Sequence, residues 1–123
     1  MEKKANYTEL VVWQRAMALV PDVYTLLKAF PQEETYALAD QIRRAVVSIP
    51  ANIAEGQARQ HRKEFLQHLS IAKGSLAELH TLFIVAQQVG YIQGDRLQEI
   101  EAALQLVGRP LAGLMTRLRD GGT

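Results

Sequence analysis

The sequence predicts an all-α fold, an antiparallel up-down-up-down four-helix bundle, and three observations carry that prediction. Apolar residues recur at alternating steps of three and four in four segments, the breaks between segments are short, and no stretch alternates apolar and polar residues as a strand would. Alternating three-four spacing is the pattern of helices packed nearly parallel. Short connections then force sequential helices to run in opposite directions. The 123 residues suit one domain over 1–123. That length buries enough surface to fold without staples. With 48% apolar and 22% charged residues, a folded globular protein is the natural class.

The first helix is expected over about 8–29, with Trp13, Met17, Val20, Tyr24 and Leu27 on its core face. Phe30-Pro31 ends it, because a residue before proline is biased away from the helical region. The second is expected over about 33–58, with Leu38, Ile42, Ala45, Val46, Ile49 and Ile53 inward and Gly56 with the polar stretch Gln57 to His61 marking its exit. The third, about 62–89, carries Phe65, Leu69, Ala72, Leu76, Leu79, Phe83 and Ala86, and Gly90 closes it. The fourth, about 95–119, follows Asp95 as N-cap with Gln98 three residues on. Its inward residues are Leu97, Ile100, Leu104, Val107, Leu111, Leu114 and Leu118. Pro21, Pro50 and Pro110 fall inside these segments, yet the apolar phase continues across each, so they read as kinks. Pro50 is the strongest candidate for a true break.

The first helix has more apolar surface than one core needs. Val12, Ala16, Leu19, Val23, Leu26 and Phe30 form a second stripe about a quarter turn from the first. The third helix repeats this with Ile71, Leu82, Val85 and Val89. A wide core-facing arc explains one such helix. Two of them in so small a chain point to self-association.

Catalytic and cofactor chemistry finds little footing. There is no cysteine, hence no disulfide and no thiolate metal site. His61, His68 and His80 include no pair at metal-ligand spacing on one helix, and no Glu-x-x-His motif occurs. Glu64 and His68 read as an exposed side-chain pair. Neither a phosphate-cradling glycine loop nor a nucleophile elbow is present. The expectation is a protein that is not an enzyme, with no cofactor, metal or small-molecule substrate. The charged N-terminus lacks the apolar stretch of a signal peptide, and no apolar run approaches the ~20 residues that span a bilayer. A cytoplasmic location with no membrane partner is therefore expected.

The net charge of +1 argues against a strongly basic nucleic-acid binder but leaves room for a local patch. Arg43, Arg44, Arg59, Arg62 and Lys63 are the basic residues to follow, and no aromatic side chain interleaves with them to stack on bases. On the second helix Gln41, Arg44, Ser48, Asn52, Glu55 and Arg59 share a polar strip. It is either a solvated flank or a polar network against another helix or subunit, with Arg44 paired to Glu55 or Glu34.

The run Gln41-Ile42-Arg43-Arg44-Ala45, followed by Ser48-Ile49-Pro50-Ala51-Asn52-Ile53-Ala54-Glu55-Gly56, resembles the 23S rRNA intervening-sequence protein family. Val12-Trp13-Gln14, Phe30-Pro31, Glu34, Tyr36 and Leu38 precede it in the same pattern. Arg59, Lys63-Glu64-Phe65, Leu69, Ile71-Ala72, Gly74-Ser75, Glu78-Leu79 and Gly90-Tyr91-Ile92 follow, so the likeness spans about residues 10–118. The resemblance implies a four-helix bundle that assembles as a homopentameric ring. Relatives that serve diversity-generating retroelements bind nucleic acid and a reverse transcriptase through a positive ring surface. On this reading Arg43, Arg59, Arg62 and Lys63 contact RNA or a ribonucleoprotein, while Gln41, Arg44, Ser48, Asn52 and Glu55 form a structural network. Val12, Leu19, Val23, Leu82 and Val85 become candidate seam residues. The alternative is a protein-interaction scaffold without nucleic acid. One departure is His61, where the family often has serine, the better N-cap.

Overall fold

The computed structural model describes residues 6–121. Asn6 forms a capping box: its side chain accepts from Thr8 N, and Glu9 reaches back to the Asn6 amide. A single 3-10 turn, Tyr7–Glu9, leads into α1, Val11–Leu27. A second 3-10 turn, Gln32–Glu34, precedes α2, Leu38–Ala58. Next come α3, Arg62–Gln88, and α4, Gly94–Arg119. No strand forms among the described residues.

Cross-helix pairs give the relative directions of α2, α3 and α4. Ser48 meets Ser75 and Asn52 meets His68, so residue numbers rise on α3 as they fall on α2. His80 meets Glu101, and Gly108 packs on Leu76, so α3 and α4 are antiparallel as well.

Several boundaries differ from the periodicity, each for a local reason. All three prolines lie inside helices, and α2 passes through Pro50 unbroken. Each costs one backbone hydrogen bond, but Val46, Ile49 and Ile53 are fully buried around Pro50 and hold the axis in place. The end of α2 at Ala58 falls within the expected exit of Gly56 and Gln57 to His61. Gly56 itself is buried within the helix, and the left-handed residue of the exit is Gln60, at φ 62°. Helix α4 starts at Gly94 behind Gln93, and the Asp95 carboxylate accepts from the adjacent Arg96 amide rather than forming a capping box. Gly90 does close α3. At φ 87° it sets up two terminal bonds, Tyr91 N to Ala86 O and Gly90 N to Gln87 O. At the other end of α3, His61 makes no side-chain cap bond.

The core is one apolar cluster from all four helices, in which Ile42, Ile49, Ile53, Leu69, Leu79 and Phe83 are wholly buried. On α1 the two stripes are exchanged relative to expectation as far as Tyr24, while Leu27 of the expected core face is buried as predicted. Val12, Ala16, Leu19, Val23, Leu27 and Phe30 are buried, whereas Met17 and Tyr24 are exposed and Trp13 and Val20 half-buried. Both stripes have the same period, so spacing does not say which one faces in. Ala16, at 0% exposure, lets α1 approach its neighbours on the chosen side. By length and hydropathy alone α3 would qualify to cross a membrane. Its Leu69, Ala72, Leu79, Phe83 and Ala86 are instead buried in the bundle.

Candidate functional site

Two constellations stand out, a polar chain between α2 and α3 and a basic end of the bundle. The polar chain starts at Ser75, buried on α3, whose hydroxyl lies 2.8 Å from that of Ser48 on α2. The Asn52 amide nitrogen donates to the Ser48 hydroxyl at 3.0 Å and to the Ser48 carbonyl at 2.9 Å. Both donations fix the amide orientation, so its oxygen faces His68 Nδ1 at 3.2 Å. His68 therefore carries its proton on Nδ1. Glu55 stands 4.0 Å from the same nitrogen and pairs with Arg59 at 3.2 Å, and Arg59 reaches Glu64 at 3.8 Å.

The close approach of the helices makes this chain possible. A Cβ on Gly56 would stand 2.6 Å from His68 Cβ and 3.1 Å from Phe65 Cδ1. Of the expected network, Ser48, Asn52 and Glu55 are therefore members. Gln41 is exposed outside it. Arg44 is 81% exposed and pairs with Asp40 at 3.1 Å, not with Glu55 or Glu34. The expected Glu64–His68 pair does not form, because Glu64 faces Arg59 and His68 turns to Asn52. His68 and Ser75 were not legible as members, because their partners are distant in sequence and only the helix crossing brings them together.

The expected basic residues separate. Arg43 lies in the first half of α2, donates to the Thr35 carbonyl at 2.5 Å and faces Asp40 at 3.9 Å. It holds the α1–α2 connection at the opposite end from the others. Arg59 is engaged by two carboxylates. Arg62 and Lys63 are exposed at the start of α3 and have no acidic partner among the described residues. The antiparallel order brings the end of α4 to the same place: a Cβ on Gly121 would stand 3.3 Å from the Arg62 guanidinium. Arg117 and Arg119, in the last turn of α4, are exposed there too, with no acidic partner among the described residues. Neither stood out in the sequence, since both are far along the chain from Arg62. Their signal was the topology itself, in which α4 ends where α3 begins.

The predicted seam residues also divide. Val12, Leu19 and Val23 are 3%, 5% and 3% exposed, buried in this chain's own core, so a second copy has no access to them. Leu82 is half-buried against the core and Val85 is exposed. The outward stripe of α1 is Met17 and Tyr24, with Trp13 and Val20 beside them.

Two open cavities lie along α4. One, of about 720 Å³, runs between α3 and α4 past Lys73, Leu76, Gly108 and Arg109, and contains the His80–Glu101 pair at 2.8 Å. The other, of about 580 Å³, opens between α1 and α4 onto Leu19, Val23, Leu26 and Ile100. No group of three or more potential metal ligands occurs among the described residues. At the end away from the basic residues, Tyr91 donates to Glu34 at 3.2 Å and packs against Phe30 with tilted rings, 5.4 Å between centroids. Burial and the Glu34 carboxylate raise the pKa of its phenol above the ordinary 10.0.

Comparison with known proteins adds a family and a fold. The family model described as 23S rRNA-intervening sequence protein matches residues 8–113. A crystal structure of a protein of unknown function from the S23 ribosomal protein family of Bacteroides thetaiotaomicron superposes with a TM-score of 0.79 at 23% identity. The superposition covers 86% of this chain and 96% of that one. No curated protein matches the chain. Neither match names an enzymatic activity.

Proposed function

Since the chain belongs to the 23S rRNA-intervening sequence protein family, we propose that it is a non-enzymatic, self-associating bundle that binds RNA or a ribonucleoprotein through its basic end. The observation that carries this reading is the placement of exposed Arg62 and Lys63 at the start of α3, where Gly121 after α4 meets Arg62, with exposed Arg117 and Arg119 in the last turn of α4. Arg117 and Arg119 oppose the negative end of the α4 dipole, which favours them in the free protein. Arg62 and Lys63 sit at the positive end of α3, where a cation is disfavoured and an anion is welcome. That arrangement suits a phosphate backbone. In an oligomer each weak contact is repeated, and multivalency raises the total affinity.

Filter binding to a structured RNA at several salt concentrations tests it. Affinity is expected to fall linearly with salt on logarithmic axes. The double change Arg62→Gln with Arg117→Gln is expected to lower the slope by about one for each phosphate interaction removed per subunit. Binding that ignores both salt and these substitutions would exclude the basic end.

The exposed apolar stripes favour a second reading, a scaffold that presents helix faces to a protein partner. A protein complex that survives nuclease treatment, with no RNA carried along, would support it over the first.

A further inference from the structure

The cavity of about 720 Å³ between α3 and α4 is separate from the basic end and differs in character along its length. Its floor is apolar, with Leu104 buried and Leu76 half-buried. Gly108 keeps that floor open. It lies in the interior of α4, where glycine is a poor helix former, and it is not one of the residues at positive φ, Gln60, Gly90 and Gly121. No backbone requirement therefore selects it. A Cβ there would stand 3.3 Å from Leu76 Cδ2, and a longer side chain would fill the space between the helices.

The two ends of the cavity carry different charge. Gly108 packs on Leu76 and His80 meets Glu101, and these pairings set Lys73 of α3 level with Arg109 of α4. Both cations line the cavity, both are exposed, and neither has an acidic partner among the described residues. At the other end His80 Nε2 and Glu101 Oε2 close on each other at 2.8 Å. At about 1.5 Å per residue, Lys73 and His80 are separated by about 10 Å along α3. That exceeds the screening length of about 8 Å at physiological ionic strength, so Glu101 does little to neutralise the cations. The α1–α4 cavity lacks this polarity, since its Arg96 is already paired with Glu99 and Asp22 adds a carboxylate.

We propose that the α3–α4 cavity binds a small amphipathic carboxylate, its head on Arg109 and Lys73 and its apolar tail over Leu76, Gly108 and Leu104 toward His80. Arginine takes a carboxylate through its planar fork and lysine as a point charge. The volume falls in the range of small-molecule sites, about 300–1,000 Å³. A partner helix laid along the same groove would continue past the floor and desolvate the His80–Glu101 pair, a cost that offsets the pair's attraction. A tail of about 10 Å stops short of it.

Octanoate, titrated into the full chain below its micellar concentration with amide NMR as readout, tests the site. Saturable shifts are expected at Leu76, Ala77, Leu104 and Gly108. Octylammonium, with the same tail and the opposite charge, is expected to leave them unmoved, as is acetate, a head without a tail. Lys73→Gln and Arg109→Gln are each expected to weaken octanoate binding by up to about fivefold. Gly108→Leu is expected to abolish it by filling the floor, and Ala77→Phe, at an exposed position on the cavity wall, does the same without touching the core. Equal binding of octylammonium, or octanoate binding indifferent to both cation substitutions, would overturn the carboxylate head. Shifts centred on Met17 and Tyr24, or on Ile71 and Val89, would overturn the location. An acidic amphipathic peptide that moves the cavity amides while octanoate does not would overturn the small-molecule ligand in favour of a docked helix.

Discussion

Along the α2–α3 seam the helices come so close that a methyl group on Gly56 would stand 2.6 Å from His68 Cβ, whereas α1 and α4 leave a cavity of about 580 Å³ between them. The first seam carries a polar chain through Ser75, Ser48, Asn52 and His68. The second is lined mainly by aliphatic side chains and carries, among the described residues, a long-range bond from Arg15 to the Leu106 carbonyl at 3.2 Å. Hydrogen bonds accept only one register, since a slip of one residue leaves buried donors and acceptors unpaired at about 1–3 kcal/mol each. Apolar contacts are non-directional and tolerate adjustment. The α2–α3 pair is thus the element that specifies the fold, and α1 and α4 close around it with more latitude.

Truncation of matched leucines on the two seams should break the symmetry most visibly. Leu69→Ala, at a wholly buried site on α3, is expected to cost about 2–5 kcal/mol of unfolding free energy. Leu26→Ala, at a half-buried site lining the α1–α4 cavity, is expected to cost about 1 kcal/mol. Urea denaturation of both variants measures the gap, and equal losses would mean that the second seam is as tight as the first.

Two glycines sharpen the same contrast with opposite signs. Gly56→Ala is expected to destabilise by about 1–3 kcal/mol, because the added methyl meets His68 and Phe65 inside the seam. Gly74→Ala on exposed α3 surface meets nothing within 4 Å and is expected to stabilise by about 1 kcal/mol through helix propensity. Thermal melts of the pair should move in opposite directions.

The polar chain itself is expected to contribute on the same scale as the Gly56 contact. Asn52→Ala removes bonds to Ser48 and His68, for an expected loss of about 1–3 kcal/mol. Nitrogen NMR of the wild-type imidazole should show the proton of His68 on Nδ1, and a proton on Nε2 would mean that the Asn52 amide is turned the other way.

The smallest effect is expected at the far end, where Tyr91 ties the α3–α4 turn to Glu34. A phenol whose pKa is raised in the folded state stabilises the protein below its ordinary value of 10.0, and that contribution is lost as pH rises through the folded value. Ultraviolet titration should show one of the 4 tyrosines ionising late, and the late step should vanish in Tyr91→Phe. In Glu34→Gln it should move back toward the ordinary value.

The segment that carries the family resemblance, Gln41 to Gly56, falls on the tight seam. Ser48 and Asn52 supply its hydrogen bonds and Gly56 its close approach, so this stretch is accounted for by packing against α3. The candidate site was legible only in part. Arg62 and Lys63 could be named because they flank a turn visible in the sequence. Arg117 and Arg119 could not, because their nearness to that turn depends on where α4 ends. Arg43 looked equivalent to them in composition and proved to be a strut for the α1–α2 connection.

By itself, then, the sequence determined the class, number and order of the helices, because a three-four apolar period and short connections admit few other arrangements. Tertiary structure decided which of two equally periodic stripes on α1 faces inward, which cations remain free, and which polar side chains meet across α2 and α3. Those outcomes depend on helix phase and height, which are set by the shapes of residues on other helices. A periodic pattern is indifferent to rotation of the helix that carries it, and packing is not.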